Sequence, residues 1–222
     1  MKRILLLTAL AIGAGTGAAN AQLAIGASIG TGGVSGEAQF KVAPWLQLRG
    51  GYNYFQYGAD ETIDDIAYDG DLDLTSFGAF ADLHPFSNSF VISGGALFYH
   101  GDSFLDATAT PTQPVEIGDV TYTPAQVGTL GLKAAFEKDI APYIAIGWDT
   151  TNQSEKGGFG VKLLLGAVFT GSPQIGLTST GGTLSGNATF QQELRDEEAK
   201  ALEDLDDYKI LPNVQLGLTF GF

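Results

Sequence analysis

Several strand-like segments carry one or two charged side chains, spaced by an even number of residues within a segment. Alternate residues of an extended chain point to opposite faces, so these charges share one face while apolar residues occupy the other. Charged groups that leave bulk water need a partner or trapped water. We therefore expect a closed sheet whose inward-facing residues are Glu37, Lys41, Arg49, Asp82, Lys133, Glu137 and Lys162. The candidate lumen-lining residues are Arg49, Asp82, Lys133, Glu137 and Lys162.

Two functions are compatible with this charged interior. Four of the seven inward-facing residues are basic and three are acidic, so the charges nearly balance and could form a salt-bridged plug. The alternative is a constriction that selects small charged solutes. About eight strands leave an interior just wide enough for side chains, which favours the plug.

Acidic residues dominate two further segments. Residues 60–73 contain no basic side chain, and the candidate acidic rim in this segment is Asp60, Glu61, Asp64, Asp65 and Asp69. The second acidic segment is residues 187–209. Runs of like charge are usually solvated loops, but an acidic vestibule would concentrate cationic solutes such as basic amino acids. Residues 60–71 lack the Gly and Glu spacing of a calcium loop, so no metal site is predicted.

Catalysis has little support in the sequence. The two His residues are His84, in a turn before Pro85, and His100, at a strand end. His100 is close in sequence to Asp102 and Ser103, but positions 100 and 103 of an extended strand point to opposite faces, and a catalytic triad needs its members in mutual reach. The chain has no Cys, phosphate loop, zinc spacing or dinucleotide motif. We predict neither an enzyme nor a cofactor.

The elements that position these residues are short amphipathic strands. Short turns at residues 43–45, 84–88, 138–141 and 171–173 alternate with long loops at 58–70, 101–127, 149–158 and 179–209. Outer-membrane barrels have short periplasmic turns and long extracellular loops. The strands number ten, or eight if residues 23–29 and 175–177 do not cross the membrane. Apolar residues at helical spacing also predict an acidic helix of about four turns within residues 187–209, with Thr189 and Gln192 as its capping box.

The two ends of the sequence indicate export. Residues 1–21 combine Lys2 and Arg3 with an apolar run and a small-residue end at Ala21, which predicts a signal peptide cleaved after Ala21. The last strand alternates apolar and small or polar residues up to Phe222. An amphipathic strand that ends on an aromatic residue resembles the assembly signal of Gram-negative outer-membrane barrels.

A membrane barrel accounts for both faces of the strands. The charged face is rich in Gly, and the opposite face is aliphatic, with aromatic residues where interfacial girdles would lie. The sequence therefore predicts an all-β fold for residues 22–222: an antiparallel up-and-down transmembrane β-barrel of eight strands, or alternatively ten, with a short acidic helix in a long loop. The formal net charge of −14 argues against nucleic acid as a partner.

Residues 140–147, residues 166–173 and the acidic run before the last strand resemble the CarO-like small outer-membrane barrels. This resemblance implies a monomeric barrel, usually described as eight-stranded, and a link to the uptake of basic amino acids and to carbapenem entry. No ligand-contacting residue of that family is carried over to this chain.

These observations together predict a barrel in the outer membrane of a Gram-negative bacterium. The expected function is a narrow channel for passive uptake of small, preferably cationic solutes; the alternative is a closed structural or surface-interaction barrel without an open pore. The expected partners are outer-membrane lipid and lipopolysaccharide, the barrel-assembly machinery through the strand ending in Phe222, and small cationic solutes.

Overall fold

The computed structural model describes residues 22–63, 66–118, 120–151, 157–205 and 209–222. In chain order its elements are β1 (Leu23–Gly30), β2 (Gly33–Ala43), β3 (Leu46–Tyr54), β4 (Gln56–Ile63), β5 (Ile66–Asp73), β6 (Ser76–Leu83), β7 (Phe90–Tyr99), β8 (Leu105–Pro111), β9 (Val115–Ile117), β10 (Val120–Tyr122), α1 (Pro124–Val127), β11 (Gly128–Phe136), β12 (Ile140–Asp149), β13 (Gly158–Phe169), β14 (Pro173–Gly181), α2 (Ala188–Leu205) and β15 (Ile210–Gly221).

Eight strands close into an antiparallel barrel in the order β1, β15, β13, β12, β7, β6, β3, β2. Each barrel strand pairs with the barrel strands before and after it in the chain, and β15 closes the ring on β1 with Ala24 opposite Gly221. The predicted antiparallel up-and-down barrel of eight strands is confirmed. Because closure leaves no unpaired sheet edge, every barrel strand has a hydrogen-bonded neighbour on both sides.

The barrel is apolar outside and polar inside. Along β12 the residues alternate strictly between exposed and buried, with Ile144, Ile146 and Trp148 outside and Asp149 at a buried position. Leu218 on the outer face is 65% exposed, whereas Lys162 inside is 1% exposed. A barrel surrounded by water would show the reverse arrangement, so this outer surface suits a hydrocarbon environment.

The two ends of the barrel differ. At one end, here called the terminal end, β1 begins, β15 finishes, and turns join β2 to β3 and β6 to β7. At the opposite end, the cap end, the chain makes long excursions between β3 and β6, β7 and β12, and β13 and β15. Both ends of the described chain therefore lie on the side of the barrel away from the cap.

The excursions build a second sheet, the cap sheet, in the order β14, β11, β8, β5, β4. The β9–β10 hairpin and both helices pack on it around Phe190, Val127 and Leu194, which are nearly fully buried. Phe190 meets Tyr122 edge to face, with 4.9 Å between ring centroids. The cap thus has a hydrophobic core separate from the barrel core, which contains Phe80, Leu164 and Val168.

The structure corrects the assignment of individual strands. The sequence left open whether residues 23–29 form a barrel strand, and they belong to the barrel as β1. The clearly amphipathic β11, in contrast, lies in the cap sheet between β8 and β14. The connection after Asp149 joins two strands at the terminal end, although its length predicted an extracellular loop. The short connections after β11 and β13 lie at the cap end and join the barrel to the cap sheet, although their length predicted turns at the opposite end.

The acidic helix is present as α2, which has 18 residues. Its N-terminus differs from the predicted capping box, because Asn187 accepts hydrogen bonds at Oδ1 from the backbone N–H groups of Thr189 and Phe190, at 3.0 and 3.1 Å. Asn is among the best N-cap residues, and its side chain satisfies donors that the helix itself leaves unpaired. Among the described residues, no helix is long and apolar enough to span a membrane.

Candidate functional site

Four ionisable side chains from four strands meet inside the barrel. Glu37 of β2, Arg49 of β3, Asp82 of β6 and Lys162 of β13 are between 1% and 8% exposed. Each occupies an inward position because its strand alternates between lipid-facing and interior residues. The set holds two positive and two negative charges, and we refer to these four residues as the ion layer.

Arg49 and Asp82 form the most regular contact of the ion layer. Arg49 Nε donates to Asp82 Oδ2 at 2.7 Å, and its Nη2 donates to Oδ1 at 3.2 Å. Ser93 accepts a hydrogen bond from Arg49 Nη2 at 2.9 Å and donates its own hydroxyl to Asp82. Bidentate pairing fixes the guanidinium plane as well as its position, so Arg49 is held tightly against β6 and β7.

Glu37 links the two cations. Its carboxylate accepts hydrogen bonds from Lys162 Nζ and, at 2.7 Å, from Gln39 Nε2. Arg49 Nη1 lies 3.8 Å from Glu37 Oε2. Gln47 extends the network by donating to Gln39. Because each charged group has an opposite charge beside it, the burial of all four is compensated by pairing.

An apolar cluster packs beside the ion layer inside the barrel. The Arg49 guanidinium carbon lies 4.0 Å from the centroid of the Phe80 ring, and Phe80 packs edge to face on Tyr143 at 4.9 Å. Both rings belong to the buried cluster formed by β6, β7, β12 and β13. Aromatic and charged side chains together therefore fill the bore at this level.

A cavity of about 270 Å³ lies on the cap side of the ion layer. Its lining includes Glu37, Arg49, Asn53, Tyr143 and Gln215. The directions of β2, β3 and β6 place Gln39, Gln47 and Asp82 one inward step further toward the terminal end. The cavity is thus a vestibule whose floor includes Glu37 and Arg49 of the ion layer, with the other two members of the layer beneath them.

The structure brings together three of the five candidate lumen-lining residues and separates two. Arg49, Asp82 and Lys162 lie in the ion layer, but Lys133 lies on β11 of the cap sheet with its side chain 67% exposed. There it forms an ion pair with Asp106 at 2.7 Å, and this hydrogen bond raises the pKa of Lys133. Glu137 follows β11 and lines a separate cavity between cap and barrel. Both corrections have one cause: the cap strands alternate in the same way as the barrel strands.

Sequence reasoning did not select several residues that complete the network. Gln39, Gln47 and Ser93 are at most 2% exposed; Gln39 and Ser93 bind the charged groups directly, and Gln47 binds Gln39. Glu37 was recognised as inward-facing but was not among the five candidates. The alternation of inward and outward positions could have identified these residues. Each lies two positions along the strand from a charged inward residue, or directly opposite one on the neighbouring strand.

The candidate acidic rim lies on the cap sheet. Asp60 of β4 and Asp69 of β5 are exposed and directly opposite each other, and Glu61 is the next residue of β4. Asp64 and Asp65 lie outside the described residues. Neither Asp60 nor Asp69 is among the residues that line the vestibule.

The acidic side chains and the two histidines are the other candidates for chemistry in the part of the chain that the structure describes. No three side chains of His, Cys, Asp or Glu in that part are grouped so that they could hold a metal ion. His84 is buried at the turn between β6 and β7, where its Nδ1 lies 2.9 Å from the Asn88 carbonyl oxygen. His100 lines the cavity between cap and barrel together with Asp102 and Ser103.

Comparisons with known proteins agree with this architecture. No protein-family model matches the chain, and no curated protein matches it in sequence. Two crystal structures from Acinetobacter baumannii are similar to it. CarO2 has 25% identity and a TM-score of 0.56, with 90% of this chain and 98% of that chain covered. CarO has 23% identity and a TM-score of 0.56, with coverages of 90% and 97%.

The shared features extend over almost the whole of both relatives. The likeness includes the closed eight-stranded barrel, and it supports a location in a Gram-negative outer membrane. The outward-facing apolar surface of the barrel is consistent with that location. The chain is a CarO-like eight-stranded β-barrel.

Proposed function

We propose that this barrel is a narrow, normally closed path for small polar solutes, with cations preferred. The observation that carries the proposal is the position of the ion layer, which forms the floor of a vestibule of about 270 Å³. The vestibule offers polar groups to a solute, and the paired charges beneath it block the bore. Passage then requires a transient rearrangement of the ion layer.

The charged character of the ion layer favours a path that can open over a purely structural filling of the bore. A closed barrel can be filled with apolar side chains, and replacing a buried ion pair by apolar residues of similar volume is often neutral or stabilising. Paired charges can exchange partners without leaving any group uncompensated, whereas a packed apolar layer cannot reopen without creating a void. The acidic cap sheet and the net charge of −14 would raise the local concentration of cations.

The surroundings of the barrel are part of the proposal. The outward-facing apolar residues would contact outer-membrane lipid, and the acidic cap would lie beside lipopolysaccharide. Residues 1–21 would be removed as a signal peptide after Ala21. The last strand, which ends in Phe222, would be read by the barrel-assembly machinery.

Planar bilayers test the proposal. The mature protein should show rare, small openings. The double variant Glu37→Ala/Lys162→Ala removes one positive and one negative charge from the ion layer and leaves the Arg49–Asp82 pair intact. It should conduct for a larger fraction of the time, because the floor of the vestibule has lost two side chains.

The matched control is Lys133→Ala/Asp106→Ala, which removes an ion pair of the cap sheet and should conduct like the wild type. Heat-modifiable migration on gels verifies that each variant is folded. If the folded ion-layer variant conducts no better than wild type, the protein is a closed structural or surface-interaction barrel.

A further inference from the structure

Asp149 is a buried carboxylate that the ion layer does not use. It is the last residue of β12, and it is 1% exposed. Its Oδ1 accepts hydrogen bonds from the backbone N–H and the hydroxyl of Thr151, the former at 2.8 Å. Its Oδ2 is also buried but has no hydrogen-bond partner among the described residues. A buried carboxylate oxygen left in this way is a vacant acceptor for a cation or donor.

The nearest cation by strand register is Lys162. Residues Asp149 and Lys162 are directly opposite each other on the paired strands β12 and β13. Side chains in that relation are close enough to interact, and opposite charges there attract. The Lys162 ammonium itself contacts Glu37. Lys162 therefore has two carboxylates within its reach and binds one of them.

Glu37 would keep partners if Lys162 moved away. Gln39 donates to Glu37 at 2.7 Å, and Arg49 Nη1 already lies 3.8 Å from its carboxylate. A small approach by Arg49 would convert that distance into a charge-assisted hydrogen bond. The number of ion pairs would be the same before and after the movement: Asp149 would gain the partner that its Oδ2 now lacks, and Glu37 would keep Arg49 and Gln39.

The two carboxylates lie on different sides of the constriction. Glu37 lines the vestibule, whereas β12 runs from the cap end toward the terminal end and reaches Asp149 last. A transfer of the ammonium from Glu37 to Asp149 would withdraw the Lys162 side chain from its place beside Glu37, which lines the vestibule floor. We propose that Asp149 is a second docking position for Lys162 and that this exchange of partners opens the path. The inference rests on the proposed function and names the residues that regulate it.

A purely structural role for Asp149 makes different predictions. In that case its carboxylate only fixes the turn after β12 through Thr151, and its free charge is irrelevant to conduction. The variant Asp149→Asn retains an acceptor for Thr151 and removes the charge. The variant Thr151→Ala removes the hydroxyl and leaves the charge. These two variants therefore separate a gating role from a turn-stabilising role.

The first test is a crystal structure of the Glu37→Gln variant. Removing the competing charge should place Lys162 Nζ within hydrogen-bond distance of Asp149 Oδ2. Because a new partner is available, this variant is expected to fold. An ammonium that stays beside residue 37 would overturn the inference, whatever the conduction measurements show.

The second test measures open probability in planar bilayers. Asp149→Asn should reduce the open fraction at least about tenfold, because a charge-assisted hydrogen bond to the open state is lost. Thr151→Ala should remain close to wild type. Equal effects of the two variants would assign Asp149 to the turn alone.

The failures of the two proposals are distinguishable. If Glu37→Ala/Lys162→Ala is folded and silent, the channel function itself is wrong. If that variant conducts but Asp149→Asn behaves like wild type, the channel stands and the exchange of partners is refuted.

Discussion

Arg49 contacts both acidic residues of the ion layer. Its guanidinium binds Asp82 through two nitrogens, donates to Ser93, stacks on Phe80 and approaches Glu37. Such a residue is costly to remove because its partners stay behind as buried charges. The net contribution of a buried ion pair can be small even when the loss of one partner is severe.

Arg49→Met tests this asymmetry. The methionine has a similar reach but no charge, so Asp82 loses its counter-ion. Breaking a buried pair costs about 3–5 kcal/mol, and we expect a loss of that size in the free energy of unfolding measured by urea titration. Arg49→Met/Asp82→Asn should recover part of it, since the uncompensated carboxylate is gone. Lys133→Met is the control and should leave the unfolding midpoint unchanged, because its pair with Asp106 is exposed.

For two glycines of the barrel strands, we expect opposite effects of adding one methyl group. A Cβ on Gly51 would make ordinary contacts, 3.5 Å from the Gly36 carbonyl oxygen and 3.6 Å from Glu37 Cβ. A Cβ on Gly95 would lie 2.1 Å from the Ala79 carbonyl oxygen. Gly95→Ala should therefore destabilise by about 1–3 kcal/mol, the usual effect of overpacking, whereas Gly51→Ala should fold as wild type does. Urea titration of both variants measures the two free energies of unfolding. Equal stabilities would contradict the difference in space around the two glycines.

At the scale of elements, the barrel and the cap sheet are two sheets with separate apolar cores. The barrel core gathers Phe80, Leu164 and Val168, and the cap core gathers Val127, Phe190 and Leu194. The helix α2 packs on β14, and two of its acidic residues bind the cap: Glu198 accepts a hydrogen bond from the backbone N–H of Leu177, and Glu197 accepts one from that of Gly118. Local stability in the cap can therefore change without a change in the barrel.

The N-terminus of α2 provides a test confined to one element. Asn187→Ala removes the acceptor for the N–H groups of Thr189 and Phe190, and losing such a cap costs about 1 kcal/mol. We expect faster hydrogen exchange in the first turn of α2 and no change in the barrel strands. Thr189→Ala is the matched control. If it accelerates exchange as much as Asn187→Ala does, the helix is capped by the box that the sequence pattern favoured.

At the scale of the whole molecule, the sequence predicts the kind of fold more reliably than the role of each strand. Alternation identifies extended segments such as β11 and β13 equally well, yet one is in the cap and the other in the barrel. Alternation reports only that the two faces of a strand differ, and both sheets have that property. Membership of the barrel depends on which strands pair across long sequence separations, as β1 does with β15.

The same limit applies to the candidate site. The alternation of side chains along each strand places Arg49, Asp82 and Lys162 on inward faces, and in the structure all three lie in the ion layer. Alternation alone also assigns Lys133 to an inward face of the barrel, because alternation cannot show which sheet a strand joins. The role of Asp149 depends on its register opposite Lys162 and on one buried oxygen, and neither follows from spacing along the chain.

The negative charge of the whole molecule leads to a prediction about salt. Asp60 and Asp69 are exposed, and they face each other across two strands of a cap sheet that stands over the cap end. Raising the salt concentration from 0.1 M to 1 M shortens the Debye length from about 10 Å to about 3 Å, so exposed charges are screened more strongly. Cations attracted by the cap should therefore be favoured at low salt, and this preference should fade as salt rises. Reversal potentials of Glu37→Ala/Lys162→Ala in KCl gradients measure it.

Neutralising the cap locates the origin of that selectivity. Asp60→Asn/Asp69→Asn, added to the open variant, should lower the potassium-to-chloride permeability ratio at 0.1 M salt and have little effect at 1 M, where the same charges are already screened. Buried charges are screened much less than exposed ones, so selectivity set by Arg49 and Asp82 would persist at both concentrations. A permeability ratio that is independent of salt and of the two cap substitutions would therefore place the filter in the bore and leave the acidic cap without a role in selection.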